Sequence, residues 1–269
     1  MRNASYLLLG LAALTVGGCG NSVTPAGRQQ LQVGYQAIAQ NDYEGAMRAA
    51  EQFLHDHPQG GGGTAEALYL EGRVYEHRAT SEESQGRQGE AKMDLQTARS
   101  TYVKALSLPA EPKVKALIHA GVANTAYFHD DFPTAMNEWA VAYPDIQQQE
   151  AQAWILYRIG VCQQRLGRFD QADRSFAQVR QQFPNSEPAK RAVSHVGAKA
   201  FYVQVGAFAD SANADKTVAS LQSQGFRASK LTPQPNRQEV VVGPAYTYAD
   251  AKTLKGQLVR AYPGAVIEP

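Results

Sequence analysis

The sequence predicts two folded parts: an all-α solenoid of helix pairs over residues 28–197, then an α+β unit of ferredoxin-like βαββαβ order over residues 198–269. Three observations carry this. A turn, an aromatic residue and an alanine recur together through the first two thirds of the chain. Near Phe201 the apolar pattern changes from helical spacing to alternation, the signature of strands. A short apolar segment ending in small residues sets residues 1–18 apart from both.

The formal net charge of the 269 residues is +1, which gives no bulk electrostatic case for nucleic acid or acidic lipid headgroups. Cys19 and Cys162 are the only cysteines. If Cys19 is consumed by processing, no disulfide framework remains, and stacked helix pairs supply a core without one.

The first element is a secretory signal, residues 1–18. Arg2 supplies the positive end and Tyr6 to Leu14 the apolar stretch. That stretch falls well short of the roughly 20 residues a membrane span needs. It closes on Val16-Gly17-Gly18-Cys19, which resembles the lipobox of bacterial lipoproteins. The resemblance implies acylation of Cys19, with palmitate among the chains, and attachment to a membrane through lipid. Two or more chains make such an anchor lasting. Gly20, rather than aspartate, follows the cysteine, which by the same resemblance implies sorting to the outer membrane, facing the periplasm. Residues 19–27 are expected to form the lipidated N-terminus and a tether.

The repeats come next. Asn41-Asp42-Tyr43-Glu44-Gly45-Ala46 is echoed by Asp130-Asp131-Phe132-Pro133-Thr134-Ala135 and by Gly167-Arg168-Phe169-Asp170-Gln171-Ala172. Four and seven residues beyond those alanines stand Ala50 and Phe53, Trp139 and Ala142, Phe176 and Val179, so a turn and a helix recur as one unit. The preceding helix of each unit shows small residues: Val33, Gly34 and Ala37; Val122, Ala123 and Ala126; Ile159 and Gly160. Small residues let two antiparallel helices approach closely. A further unit pairs Leu68, Gly72 and Tyr75 with Ala98, Tyr102 and Ala105, its polar Thr80–Glu90 stretch being an enlarged loop or a helix extension. The run Gly60 to Gly63 reads as a flexible connector between the first two units. Alanines 98, 135 and 172 stand 37 residues apart. About four such units resemble tetratricopeptide repeats, whose period is about 34. The resemblance implies a concave face that holds an unidentified protein partner, against the plainer role of a spacer.

In the last part, Phe201 to Phe208 alternates as a strand with Val203 and Val205 on one face. Asp210 to Ala214 starts a helix striped by Ala214, Val218 and Leu221, and Gly225 ends it. Phe226 to Leu231 is a second strand, residues 232–236 a turn, and Glu239 to Pro244 a third strand. Thr247 caps a helix with Ala251, Leu254 and Leu258 inward, Pro263-Gly264 breaks it, and residues 265–267 close the sheet. Both helices must then cover one face and leave the other open.

Tyr202-Val203-Gln204-Val205-Gly206-Ala207-Phe208, Asn213-Ala214, Gly225-Phe226 and Val240-Val241-Val242-Gly243-Pro244 together resemble the SPOR (sporulation-related repeat) domain. Two departures stand out: Ala245 where the family carries an aromatic, and Val241 where it often carries a polar residue. The resemblance implies binding of peptidoglycan, favouring glycan strands stripped of stem peptides at the division septum. Strand parity then puts Tyr202, Gln204 and Gly206, with Glu239 and Val241, on the outward glycan-binding face. Gln204 offers an amide to N-acetyl and hydroxyl groups, and Gly206 a close approach to backbone. Arg237 and Lys230 stand near strand ends, placed to steer carboxylates.

No catalytic constellation, cofactor motif or metal set stands out, so no enzyme is expected. In His55-Asp56-His57, alternate residues on a helix diverge, which argues against a metal site. Cys162 reads as a small buried residue. RNA-recognition domains share the strand order, but the paired stacking aromatics they use are missing and export removes the substrate. The two readings carried forward are a wall-binding adaptor in cell division or wall maintenance, and an envelope assembly scaffold whose sheet face binds a protein.

Overall fold

The computed structural model describes residues 23–58, 61–234 and 237–269; the expected signal segment, Cys19 and Gly60 lie outside the described residues. The helices are α1 (Pro25–Ala39), α2 (Tyr43–Asp56), α3 (Thr64–Ser84), α4 (Gln88–Leu106), α5 (Pro112–Phe128), α6 (Phe132–Ala142), α7 (Gln149–Arg165), α8 (Phe169–Gln182) and α9 (Glu187–Ala192). Then follow β1 (Phe201–Phe208), α10 (Ser211–Ser223), β2 (Ala228–Gln234), β3 (Arg237–Ala245), α11 (Tyr248–Leu258) and β4 (Val266–Glu268). By its contacts the chain divides into two compact units at Arg158/Ile159, inside α7.

The recurring motif is turn chemistry. Each first-to-second-helix turn holds one left-handed residue: Asn41 (φ 60°), Gly86 (φ 78°), Asp130 (φ 59°) and Gly167 (φ 77°). Asparagine, aspartate and glycine tolerate that conformation where other side chains clash. Asp42 and Asp131 then cap the second helix, accepting from the Gly45 and Thr134 amides at 2.8 and 3.3 Å.

Packing explains the period. The anchor alanines 46, 98, 135 and 172 are fully buried. Phe53, Tyr102, Trp139 and Phe176, one large ring per second helix, are among the largest fully buried side chains. Phe53, Tyr102 and Phe176 face positions without side chains. A β-carbon at Gly72 or Gly121 would come within 2.4 or 2.5 Å of the Tyr102 ring, so Tyr102 of α4 lies between α3 and α5 where both are bare. Gly160 takes Phe176 and Gly34 takes Leu70 in the same way, with would-be contacts of 2.7 and 2.5 Å. Gly63, expected to be a flexible connector, has its own steric role: a β-carbon there would meet the Phe53 ring at 2.7 Å.

Around Tyr102 runs a buried polar network. Its hydroxyl donates to Glu76 Oε2 at 2.9 Å, Asn124 Nδ2 donates to Glu76 Oε1 at 2.8 Å, and Arg158 Nη1 donates to Asn124 Oδ1 at 2.7 Å. Arg73 Nη1 adds the cation, 3.4 Å from Glu76 Oε2. Burial, then the Glu76 charge, pushes the Tyr102 hydroxyl well above its ordinary pKa, so it stays a donor.

Several details differ from the sequence reading. Thr24 caps α1 and Pro25 occupies its first turn, so the helix begins inside the segment read as a tether. Val33 is half exposed while Gly34 and Ala37 are buried. The Thr80–Glu90 stretch is a helix extension: α3 runs to Ser84 and α4 begins at Gln88. The short α9 was not foreseen; Ser186 caps it and Ala189 and Ala192 are buried. His57 stacks on Phe53 and its Nδ1 lies 2.8 Å from that residue's carbonyl, while Asp56 accepts from Gln30 and Gln52. Cys162 is fully buried.

The sheet runs β2-β3-β1-β4 with every pairing antiparallel. Val203, Val205, Val240 and Val242 form one core with Ala214 and Leu221 of α10 and Leu258 of α11, so both helices cover the same face. Asp210 and Thr247 cap those helices, accepting from the Ala212 and Asp250 amides. β2 continues to Gln234, through residues read as a turn, because it is an edge strand that accepts Pro233.

Gly72→Ala is expected to lower stability by about 1–3 kcal/mol through overpacking against Tyr102, and Tyr102→Phe by about 1–3 kcal/mol by stripping a donor from buried Glu76. Both are read as a fall in denaturant midpoint. A pH effect is expected from His195. Gln164 Nε2 donates to the His195 carbonyl at 3.1 Å, leaving Gln164 Oε1 to accept from Nδ1 at 2.7 Å. Burial, then the Arg165 charge, pulls this imidazole down to about 4. The unfolded chain therefore binds the proton first, and stability falls as pH drops from about 6.5 toward about 4. Thermal unfolding across that window is expected to flatten in His195→Gln.

Candidate functional site

The face of the sheet opposite α10 and α11 follows from the pairing, because residues directly opposite in neighbouring strands share a face. Val203 pairs Val242 and both lie in the helix-side core. The next pair, Gln204 with Val241, therefore faces away, and so do Ser229 opposite Val241 and Val266 opposite Gln204. Glu239 opposite Ala207, Leu231 opposite Glu239, and Glu268 opposite Tyr202 complete the row. The structure brings Tyr202, Gln204, Glu239 and Val241 onto one face, as parity predicts.

Gly206 does not join them. The register shifts between Gln204 and Gly206, so that Val205 and Gly206 together oppose Val240. This bulge turns Gly206 toward the helix side, where a β-carbon would meet the Phe208 ring at 3.1 Å. Exposed Ala207 takes its place on the open face, opposite Glu239. The signal was in the sequence: a glycine inside a strand marks either a bulge or a close approach, and here it is a bulge.

Exposure along the row is uneven. Gln204 is 8% exposed and Val241 2% exposed, so the centre of the face is shielded although it points away from the helices. Both stand on the two central strands, flanked on each side by neighbouring strands' side chains. The accessible parts are Ala207, Ser229, Glu268 and Leu231, which is 47% exposed, with Tyr202 and Glu239 half-buried.

Near the Tyr202 end a second register shift places Gly243 and Pro244, joined by a cis peptide bond, opposite Tyr202. A β-carbon at Gly243 would come within 2.8 Å of the Tyr202 ring. The bare glycine lets that ring lie against the strand.

The electrostatics are acidic. Arg237 Nε donates to Glu239 Oε1 at 2.7 Å, so it neutralises Glu239 and is not placed as an independent steering charge. Lys230 pairs Val240 and therefore stands on the helix side, where its Nζ donates to Ser211 and Asp215. Partial desolvation, then the Glu239 charge, raises the Glu268 carboxyl above the ordinary glutamate value, with Arg237 opposing. Among the described residues no cluster of His, Cys, Asp and Glu is arranged to hold a metal ion.

Comparison with known proteins bears on the two folded parts. The family model of the SPOR domain matches residues 197–267, and that of a tetratricopeptide repeat matches residues 155–186. The chain thus carries a SPOR domain, a kind of module that binds peptidoglycan in general, after tetratricopeptide-type repeats, a kind of module associated with protein interaction. Both are binding or scaffold modules. Among solved structures, the MamA protein is similar at 17% identity and TM-score 0.42, over 65% of this chain and 81% of that one. A thermophilic tetratricopeptide-repeat protein of Thermus thermophilus is similar at 18% identity and TM-score 0.35, over 63% of this chain and 98% of that one. No curated protein matches the chain.

A glycan stripped of stem peptides would carry a carboxylate on every muramic acid, which Glu239 and Glu268 would repel. If the face takes such a glycan, binding is expected to strengthen as pH falls from 7 toward 5, because Glu268 protonates ahead of an ordinary glutamate. Glu268→Gln is expected to tighten binding several-fold at pH 7 and to weaken the pH dependence in co-sedimentation.

Proposed function

We propose that the protein is a lipoprotein of the bacterial envelope that links peptidoglycan to a protein partner. Cys19 is acylated and anchors the chain in the outer membrane, facing the periplasm. The repeats hold the partner, and the SPOR domain binds glycan strands, favouring those stripped of stem peptides at the septum, in cell division or wall maintenance. The observation that carries this reading is the SPOR match over residues 197–267 together with a sheet face that neither α10 nor α11 covers. Contacts run along the accessible margins of the row, Tyr202, Glu239 and Ala207, with the shielded Gln204 and Val241 between them. Because each hydrogen bond contributes only about 1 kcal/mol net, affinity comes from several sugars at once.

A second reading has its own support. Exposed Leu231 lies on edge strand β2, and an apolar side chain beside an unpaired strand edge suits a protein segment better than a sugar. In that case the chain is an envelope assembly scaffold whose sheet binds protein.

Purified sacculi, untreated and amidase-treated, separate the two. The full chain is expected to co-sediment more with treated sacculi, and Tyr202→Ala to reduce retention several-fold. Gln204→Ala, shielded at the centre, is expected to have the smaller effect. Equal retention on both sacculi, with a uniform envelope signal from a fluorescent fusion, favours the scaffold. For the anchor, Cys19→Ala is expected to abolish palmitate labelling and move the protein out of the membrane fraction.

A further inference from the structure

A stack of helix pairs has an unsatisfied end, because each pair buries its apolar surface only against a neighbour and the terminal pair needs a cap. In the unit from Ile159 onward, the last pair meets the SPOR domain. Phe169, at the start of α8, is buried in one cluster with Phe201 of β1, Ala245 of β3 and Ala251 of α11. The Phe169 and Phe201 ring centroids are 5.6 Å apart, and those of Phe201 and Tyr248 are 5.8 Å apart. The Arg165 guanidinium, at the end of α7, lies over the Tyr248 ring at 4.4 Å.

Polar contacts surround this apolar patch. Lys199 donates to Asp170 at 2.8 Å and reaches Asp173 at 3.4 Å, while the Gly197 amide donates to Asp173 at 2.9 Å. A β-carbon at Gly167 would come within 2.9 Å of the Tyr246 carbonyl oxygen, so the α7–α8 turn itself approaches the β3–α11 connection. Residues 193–200, which a domain boundary at 197 would make a linker, are tied back through His195 to Gln164 and Phe176 of the pair.

We infer that the SPOR domain is the C-terminal cap of the repeat array, an interaction surface on α7 and α8 whose partner is the chain's own sheet. The last helix pair and the SPOR domain are then one cooperative unit. Phe201 is held by Phe169 on one side of β1, while the adjacent Tyr202 points to the opposite, ligand-facing side. Phe169 is in this sense a positioning residue for the binding face. The inference does not depend on what the sheet binds.

Hydrogen exchange by mass spectrometry on the full chain tests it through two reciprocal variants. Phe169→Ala is expected to raise exchange roughly tenfold or more at residues 200–205 and 245–251, on the SPOR side. Tyr248→Ala is expected to raise exchange in α8, on the repeat side. Phe53→Ala, in the first pair, serves as the control and leaves both regions at wild-type protection. Should Phe169→Ala unfold the whole last pair, loss of protection at residues 200–205 supports the cap and wild-type protection there overturns it. The inference also fails if each variant's effect stays on its own side of residue 197.

Discussion

The structure depends on a steric constraint: Phe53, Tyr102 and Phe176 of the second helices each meet a position that carries no side chain. Tyr102 shows it most fully, lying between Gly72 and Gly121 of two different neighbours. The ring fixes how closely α3, α4 and α5 approach, and so the rise from one pair to the next. Phe176 on Gly160 repeats the arrangement in the last pair. A dense interior tolerates neither an added carbon nor an empty place at such points.

Closeness of that kind brings polar side chains inside, where each must find a partner. Glu76 takes the Tyr102 hydroxyl, the Asn124 amide and the Arg73 guanidinium, and Asn124 in turn takes Arg158. The residues come from α3, α4, α5 and α7, so the network ties helices of different pairs to one register. Apolar packing sets the spacing of the helices, and the directional hydrogen bonds set their alignment.

The sheet works by a different rule. Alternation makes one face a core with α10 and α11 and sends the other outward, and two bulges then edit that outward face. One removes Gly206 and substitutes Ala207; the other seats Tyr202 on Gly243. The result is a face shielded at its centre and accessible at its margins, bearing Glu239 and Glu268. At one end of the same sheet the helix-side neighbours belong to the last repeat, and there the scaffold and the binding module share a core.

The sequence by itself determined the helix pairs, their turns, the strand order and the outward direction of Tyr202, Gln204, Glu239 and Val241, because these follow from local periodicity and from backbone conformations that only certain residues accept. Asn41, Asp130 and Gly167 announce their turns, and Ala98, Ala135 and Ala172 their period. Tertiary structure alone decided the fate of Gly206, the shielding of Gln204, the pairing of Arg237 with Glu239, and the meeting of Phe169 with Phe201. Each of these depends on which residues, distant in the chain, arrive side by side, and periodicity carries no record of what a side chain meets across a strand or beyond a turn.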